Sequence, residues 1–402
     1  SRMVEPGDGP LGGIRVLDLT TVVMGPLSTR MLGDLGADVL TIETRHGDLN
    51  RRMGPGPDRD FSGTSLNLMR NKRSIVLDLK ATQGRAACLD LAATCDIVVT
   101  NLRPGPLGRL GLDYAAVREV RPDIIFCAAH GYPSDSPDAN APAYDDIIQA
   151  ASGVSDLYLR VGNEPNLLPT LVADKVSGMS IVNGVLAALY HRAMTGQGQQ
   201  IEVPMIDVMT AFILAEHGAG AIPEPPTGEP GHSRILTPSR RPQPTADGWI
   251  NVLPYNGGHY DALFAAGGRE DLLGDDRYRT TVSRMANSGS LYGDVAAILP
   301  QRTTDEWMEF CATNGIPATR AATLDELVAK LPLEEHPLVG SYHFIPPAER
   351  FSETPAGLHR HAPGIGEHSR EILAEIGYPP ETLDDLKSAG VLGRPIAGDE
   401  KR

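Results

Sequence analysis

The sequence predicts an α/β protein: a doubly wound parallel sheet in a large domain, a smaller α+β domain, and long links joining the two. Three observations carry that expectation. Short apolar runs alternate with helically spaced ones through the first half of the chain. From 217 to 247 the composition turns rich in proline and glycine. Beyond that break the pattern changes to a single short strand followed by amphipathic helices.

The elements follow in order. Ile14-Arg15-Val16-Leu17-Asp18-Leu19 reads as the first strand. Gly25-Pro26 comes next, and a proline suits the first helical turn because its missing N–H would be unpaired there. Met31, Leu32 and Leu35 recur at helical spacing, Gly36 supplies the stop, and Val39-Leu40-Thr41-Ile42 is the second strand. Further strands are expected at 74–78, 96–100, 124–129 and 200–203, with helices at 83–94, 113–120 and 176–194. Such alternation gives a parallel sheet covered by helices on both faces, a Rossmann-like arrangement whose ligands sit at the carboxyl ends of the strands. The run Ile222-Pro223-Glu224-Pro225-Pro226-Thr227-Gly228-Glu229-Pro230 is semi-extended, and so long a stretch without structure marks a domain boundary. Past it, 249–252 reads as a strand, 304–313 and 323–331 as helices, 346–363 as a second proline-containing link, and 367–376 as a last helix.

Composition narrows the function. The chain has 402 residues, enough for two or three domains, and 41% hydrophobic with 22% charged residues is an ordinary soluble balance. No stretch reaches 18 uninterrupted apolar residues, so no membrane span or membrane partner is expected. The first residues lack an apolar signal core, and Ser1-Arg2 ahead of Met3 reads as a cloning remnant. A net charge of −15 argues against nucleic acid, and any anionic ligand needs a local basic cluster. Cys88, Cys95, Cys127 and Cys311 form no CxxC pair; small buried hydrophobes in a reducing, cytoplasmic setting are the first reading, with disulfide or zinc as alternatives. The 11 histidines show no HExxH spacing, so no metal is expected.

A doubly wound domain raises nicotinamide binding first, and Glu43 stands where a ribose-binding acid belongs. The turn after the first strand, Thr20-Thr21-Val22-Val23-Met24-Gly25-Pro26, lacks G-x-G-x-x-G, and there is no GxxxxGK[ST] loop. Nicotinamide is not expected.

Six segments, in order, resemble the family III CoA-transferases. They are Pro10-Leu11-Gly12-Gly13-Ile14-Arg15-Val16-Leu17-Asp18-Leu19, Met31-Leu32-Gly33-Asp34-Leu35-Gly36-Ala37-Asp38-Val39, Asn71-Lys72-Arg73-Ser74-Ile75-Val76-Leu77-Asp78-Leu79-Lys80, Asn101-Leu102-Arg103-Pro104-Gly105, Thr195-Gly196-Gln197-Gly198-Gln199 and Gly364-Ile365-Gly366-Glu367-His368. The resemblance is weakest between about 215 and 340. It implies acyl-CoA:carboxylate CoA transfer, with acyl-CoA and a carboxylic acid as substrates, and an interlocked homodimer of ring-shaped chains. The matching organisation is a large CoA-binding domain of 1–216 together with 345–402, a linker at 217–247, a small domain at 248–330 and a return linker at 331–344.

The resemblance places the family's catalytic aspartate on Asp174, in Leu171-Val172-Ala173-Asp174-Lys175-Val176. Read alone, the position directly precedes a helix, where exposed N–H groups favour an ionised carboxylate; a plain N-cap fits equally well. The resemblance implies a covalent relay through an aspartyl anhydride and an aspartyl-CoA thioester. CoA-contacting positions carry over to Val22, Val23, Met24, Leu77, Lys80, Asn101, Leu102, Arg109, His130, Tyr132 and Met205, with Tyr144 beside them. Lys72, Arg73, Arg45 and Arg103 are further candidates for charge near the nucleotide, each reading singly as a solvated cation too. Two positions depart from the family: Thr44 stands for an arginine and His130 for a lysine.

The same superfamily holds α-methylacyl-CoA racemases, which need a proton carrier on each face of the α-carbon. Their histidine falls on Tyr144, in Ala143-Tyr144-Asp145-Asp146, and an ordinary tyrosine pKa near 10 suits no proton shuttle at neutral pH. The transferase reading therefore leads, with racemase and non-catalytic CoA-binding protein as alternatives. The glycine-rich loop of oxalate-using members is replaced by Tyr255-Asn256-Gly257-Gly258-His259, which disfavours formyl exchange and leaves the acids open.

Overall fold

The apolar runs of the first half become six strands: β1 (Arg15–Leu19), β2 (Asp38–Glu43), β3 (Lys72–Val76), β4 (Ile97–Thr100), β5 (Ile125–His130) and β6 (Gln200–Pro204). The structure is a computed structural model and describes residues 3–393; Ser1-Arg2 and 394–402, with their part of the expected large domain, lie outside the described residues. All neighbouring strands are parallel, in the order β3-β2-β1-β4-β5-β6. β3, β4 and β5 are buried along their whole length, as strands covered on both faces must be. Leu17 sits opposite Leu40 on one side and Val98 on the other, which fixes the register at the sheet centre.

The connecting helices are α1 (Met24–Asp34), α2 (Gly63–Leu68), α3 (Thr82–Ala93), α4 (Pro104–Leu110), α5 (Tyr114–Val120), α6 (Asp145–Ala151), α7 (Val154–Arg160), α8 (Val172–Thr195) and α9 (Met205–His217). One core packs Leu17, Leu40, Val98 and Phe126 of the sheet against Cys88 and Leu91 of α3 and against Ile372 and Leu373 near the chain end. All four cysteines are free and buried. Burial pushes the thiols of Cys88, Cys95 and Cys127 up to about 12, which leaves them inert.

The chain divides into two compact units. The first takes residues 3–152, 168–212 and 331–393 of the described chain, and the second takes 153–167 and 213–330. Residues 153–167, expected in the large domain, group with the second unit because α7 packs there. The stretch 331–344, expected as a return linker, is an antiparallel hairpin of Leu333–His336 and Gly340–His343 within the first unit. Buried His336 ties that hairpin down through a 2.7 Å bond from its Nε2 to the Ala362 carbonyl. The second unit has its own core, where Ile250 meets Leu263, Phe264 and Trp307. Its small antiparallel sheet pairs Trp249–Val252 with Gln243–Pro244 and Ala318–Arg320.

Candidate active site

The strand order reverses between β1 and β4, so their carboxyl ends open a crevice. The loop leaving β1 is held tightly there. The Thr21 N–H donates to Asn101 Oδ1 at 3.0 Å, and Asn101 Nδ2 returns a 2.7 Å bond to the Thr21 carbonyl. The next residue, Val22, has φ 73, a left-handed conformation that costs a β-branched residue about 1–3 kcal/mol. Its N–H is caught by Asp48 Oδ1 at 3.1 Å. Asp48 is buried and also accepts from the Asn50 N–H, and burial raises its pKa above the ordinary carboxyl range. Helix α1 then starts at Met24, just past the carboxyl end of β1, with no side-chain cap on its first N–H groups.

Helix α8 crosses this point. A Cβ on Gly178 would lie 2.9 Å from the Met24 carbonyl and 3.2 Å from Leu27, so only glycine lets α8 meet the start of α1 this closely. Asp174 is four residues earlier and shares that helix face. The helix begins at Val172, four residues before the expected start, so Asp174 occupies its first turn instead of capping it. The cap comes from elsewhere: the Asp174 N–H donates to Asp145 Oδ1 at 3.0 Å. Gln149 completes the clamp, donating from Nε2 to Asp145 Oδ2 at 2.6 Å while its Oε1 accepts from the Leu168 N–H at 2.9 Å. Burial first, then the nearby carboxylates of Asp145 and Asp146, pushes the Asp174 pKa up to about 7.

The other sequence candidates sort by sheet edge. Val22, Val23 and Met24 follow β1; Arg45 follows β2; Leu77 and Lys80 follow β3; Asn101, Leu102, Arg103 and Arg109 follow β4. His130 ends β5 and Tyr132 follows it, and Met205 opens the helix after β6. All lie at or beyond the carboxyl ends of the strands. Arg45, Lys80, Arg103 and Arg109 are exposed, and Arg103 donates to the Asn140 carbonyl at 2.7 Å. Buried His130 has both ring nitrogens engaged, Nδ1 at 2.6 Å from the Tyr132 carbonyl and Nε2 at 3.3 Å from Glu202. Tyr144, just ahead of α6, is 65% exposed.

Lys72 and Arg73 correct the expectation that they supply charge to a nucleotide. They open β3, at the amino edge, and both are buried. Lys72 Nζ donates to Asp18 Oδ2 at 3.0 Å, Thr29 Oγ1 at 2.7 Å and the Pro26 carbonyl at 3.0 Å. Arg73 is held by Asp38, Glu371 and Glu375. Glu43 is likewise engaged, pairing with Arg51 at 2.6 and 2.7 Å. Asp48, Asp145 and Gln149 escape sequence reasoning. The adjacent acids Asp145-Asp146 are visible in the sequence, but the short helix they begin is not.

Residues 11–369 match the profile of CoA-transferase family III. The succinate–glutarate CoA-transferase of Agrobacterium fabrum is 30% identical over 382 residues, spanning 91% of this chain and 96% of its own. The cinnamoyl-CoA:phenyllactate CoA-transferase of Clostridium sporogenes is 28% identical, with 96% and 97% covered. A crystal structure of a CaiB/BaiF family protein from Brucella suis superposes with a TM-score of 0.78 at 28% identity, covering 92% of this chain and 99% of that one.

Proposed function

The chain belongs to CoA-transferase family III, and on that premise we propose that it moves CoA from a donor acyl-CoA to a free carboxylic acid through covalent intermediates on Asp174. One observation carries the reading: a carboxyl in the first turn of α8, pushed up to about 7 by burial and two acids, one turn before the Gly178 that meets the start of α1. A buried carboxylate beside like charges is costly, and acylation removes its charge. The environment that disfavours ionised Asp174 therefore favours its covalent forms.

In the proposed cycle, an Asp174 oxygen attacks the thioester carbonyl, the C–S bond breaks, and CoA leaves as thiolate from a mixed anhydride. The thiolate attacks the aspartyl carbonyl, and the donor acid departs as carboxylate, leaving aspartyl-CoA. The acceptor carboxylate then attacks that thioester and releases the thiolate again. Finally the thiolate attacks the acceptor's acyl carbon and frees Asp174. No proton is gained or lost overall. Uncapped N–H groups of Met24 and Gly25 suit the negative charge that develops at each step.

CoA is proposed to lie along the carboxyl edge, against Val22–Met24, Leu77, Asn101, Leu102, His130, Tyr132, Tyr144 and Met205. The exposed Arg45, Lys80, Arg103 and Arg109 would offset its phosphates. The racemase reading needs a second proton carrier, and both nitrogens of His130 are already held. A homodimer is part of the proposal. Val172–Thr195 is long and apolar enough to cross a membrane by length and composition, yet only 39% of its most apolar stretch is buried. Its exposed stripe of Met179, Leu186, Tyr190 and Met194 suits a second copy of the chain.

Mass spectrometry of CoA esters after incubation with a panel of donors and acids tests the activity, succinate and glutarate included because a relative is named for them. Solvent deuterium appearing in the α-position of a 2-methylacyl-CoA, without transfer to an acid, would favour the racemase instead.

A further inference from the structure

We infer that Gln149 is a positioning residue: it keeps Asp145 ionised, and so leaves the proton shared between the two carboxyls on Asp174. The charge assignment stands on geometry; its effect on turnover rests on the transferase reading.

Gln149 and Asp145 are buried, one turn apart on α6, within the first unit. The direction of the Gln149 amide is fixed by its surroundings. One end meets a donor, the Leu168 N–H, at 2.9 Å. The other meets three acceptors: Asp145 Oδ2 at 2.6 Å, the Thr170 carbonyl at 3.1 Å and the Leu168 carbonyl at 3.4 Å. A flipped amide would set its NH2 against an N–H and its oxygen against three oxygens. Nε2 therefore donates to Asp145.

Asp145 thus has a donor on each oxygen, the second being the Asp174 N–H at 3.0 Å on Oδ1. An amide N–H can only donate, so both contacts favour the charged carboxylate. The Asp174 carboxyl receives no hydrogen bond from the described residues, and burial, then the charges of Asp145 and Asp146, raises its pKa. Of two neighbouring carboxyls that repel as anions, the one without donors keeps the proton.

The other charged groups around α8 are already engaged. Among the elements packed on it, α1 brings Arg30 and Asp34, joined at 3.1 Å, and β5 and β6 bring His130 and Glu202, 3.3 Å apart. On α8 itself Lys175 donates to Thr170 Oγ1 at 2.6 Å, and His191 and Arg192 lie near the far end.

The test reads the proton directly. A diazoacetamide esterifies a carboxyl that carries a proton: the proton moves to the diazo carbon, N2 leaves and a C–O bond forms. At pH 6 without CoA, wild-type protein should take the ester on Asp174, read by peptide mass spectrometry. Gln149→Met nearly keeps the volume but has no donor, and should take half as much there or less. In turnover, the ratio of kcat/KM at pH 5.5 to that at pH 8.5 should rise at least threefold in Gln149→Met and in Asp145→Asn. Gln149→Glu either donates from a neutral carboxyl or adds a third like charge, so its ratio should stay at or below wild type. That variant covers the case in which Gln149→Met fails to fold. A purely structural Gln149 would lower transfer at every pH alike. An unchanged ratio and ester in folded Gln149→Met would overturn the inference, as would a raised ratio in Gln149→Glu. Ester yields that shift as expected, with no CoA transfer in any chain, overturn the transferase reading alone; transfer with an unmoved ratio and ester overturns the positioning role alone.

Discussion

At the scale of the residue, the raised pKa of Asp174 sets both a rate and a stability. The nucleophile must be ionised, so transfer should fall about tenfold per pH unit below about 7, measured on kcat/KM over pH 5 to 9. The stability effect runs the other way. Below about pH 4 the carboxyl is protonated in both folded and unfolded chains and contributes nothing. Between there and about 7 the folded chain holds a proton that the unfolded chain has released, so stability falls as pH rises through that window. Asp174→Asn should therefore melt above wild type at pH 8, by on the order of 1 kcal/mol, with the difference vanishing near pH 4. Lys72 gives the contrasting case. Lys72→Met leaves Asp18 buried and unpaired, and should cost about 3–5 kcal/mol in denaturant unfolding. Where the variant is still folded, CoA affinity should match wild type; a large loss there would return Lys72 to the nucleotide. Its single-residue signal, a lysine in a matching motif, cannot reveal that Asp18, Thr29 and Pro26 close around it.

At the scale of the element, the six strands of the sheet are legible within a residue or two, most plainly β4 and β5, whose β-branched and apolar runs are buried along their whole length. Helices are less so. The sequence pattern puts the start of α8 four residues late, since Asp174 reads as a cap just ahead of the helix; the capping carboxylate belongs to Asp145, 29 residues away. Helix α6 is seven residues long and too short to show a period. The contact that places the site is equally silent in sequence: Gly178 in mid-helix reads as a weak spot until the Met24 carbonyl is seen beside it. Gly178→Val should push α8 from α1, cost about 1–3 kcal/mol, and reduce transfer at least a hundredfold while the chain still folds. Near-normal turnover in a folded Gly178→Val protein would separate the α1 start from the chemistry.

At the scale of the whole molecule, the composition break at 217–247 lies inside the second compact unit, which takes 153–167 and 213–330. Residues 153–167 join that unit through long-range packing, and 331–344 hides a hairpin in what reads as a link. The proposed dimer rests on the apolar face of α8. Light scattering at micromolar concentration should give twice the 42.9 kDa chain mass. If the two chains interlock, differently tagged subunits mixed in native buffer should not exchange until unfolded. A monomer, or exchange within minutes, would leave the stripe from Met179 to Met194 in need of another occupant.

The covalent role of Asp174 is the claim on which the rest depends, and trapping tests it most directly. Wild-type protein incubated with an acyl-CoA that it uses, and no acceptor acid, is treated with hydroxylamine and digested, and the peptide holding Asp174 is weighed. A hydroxamate is expected on Asp174 that needs the acyl-CoA and is absent from Asp174→Asn, whose CoA transfer should fall at least a hundredfold. An unmodified Asp174 during active turnover, or the same adduct on another residue, would contradict it.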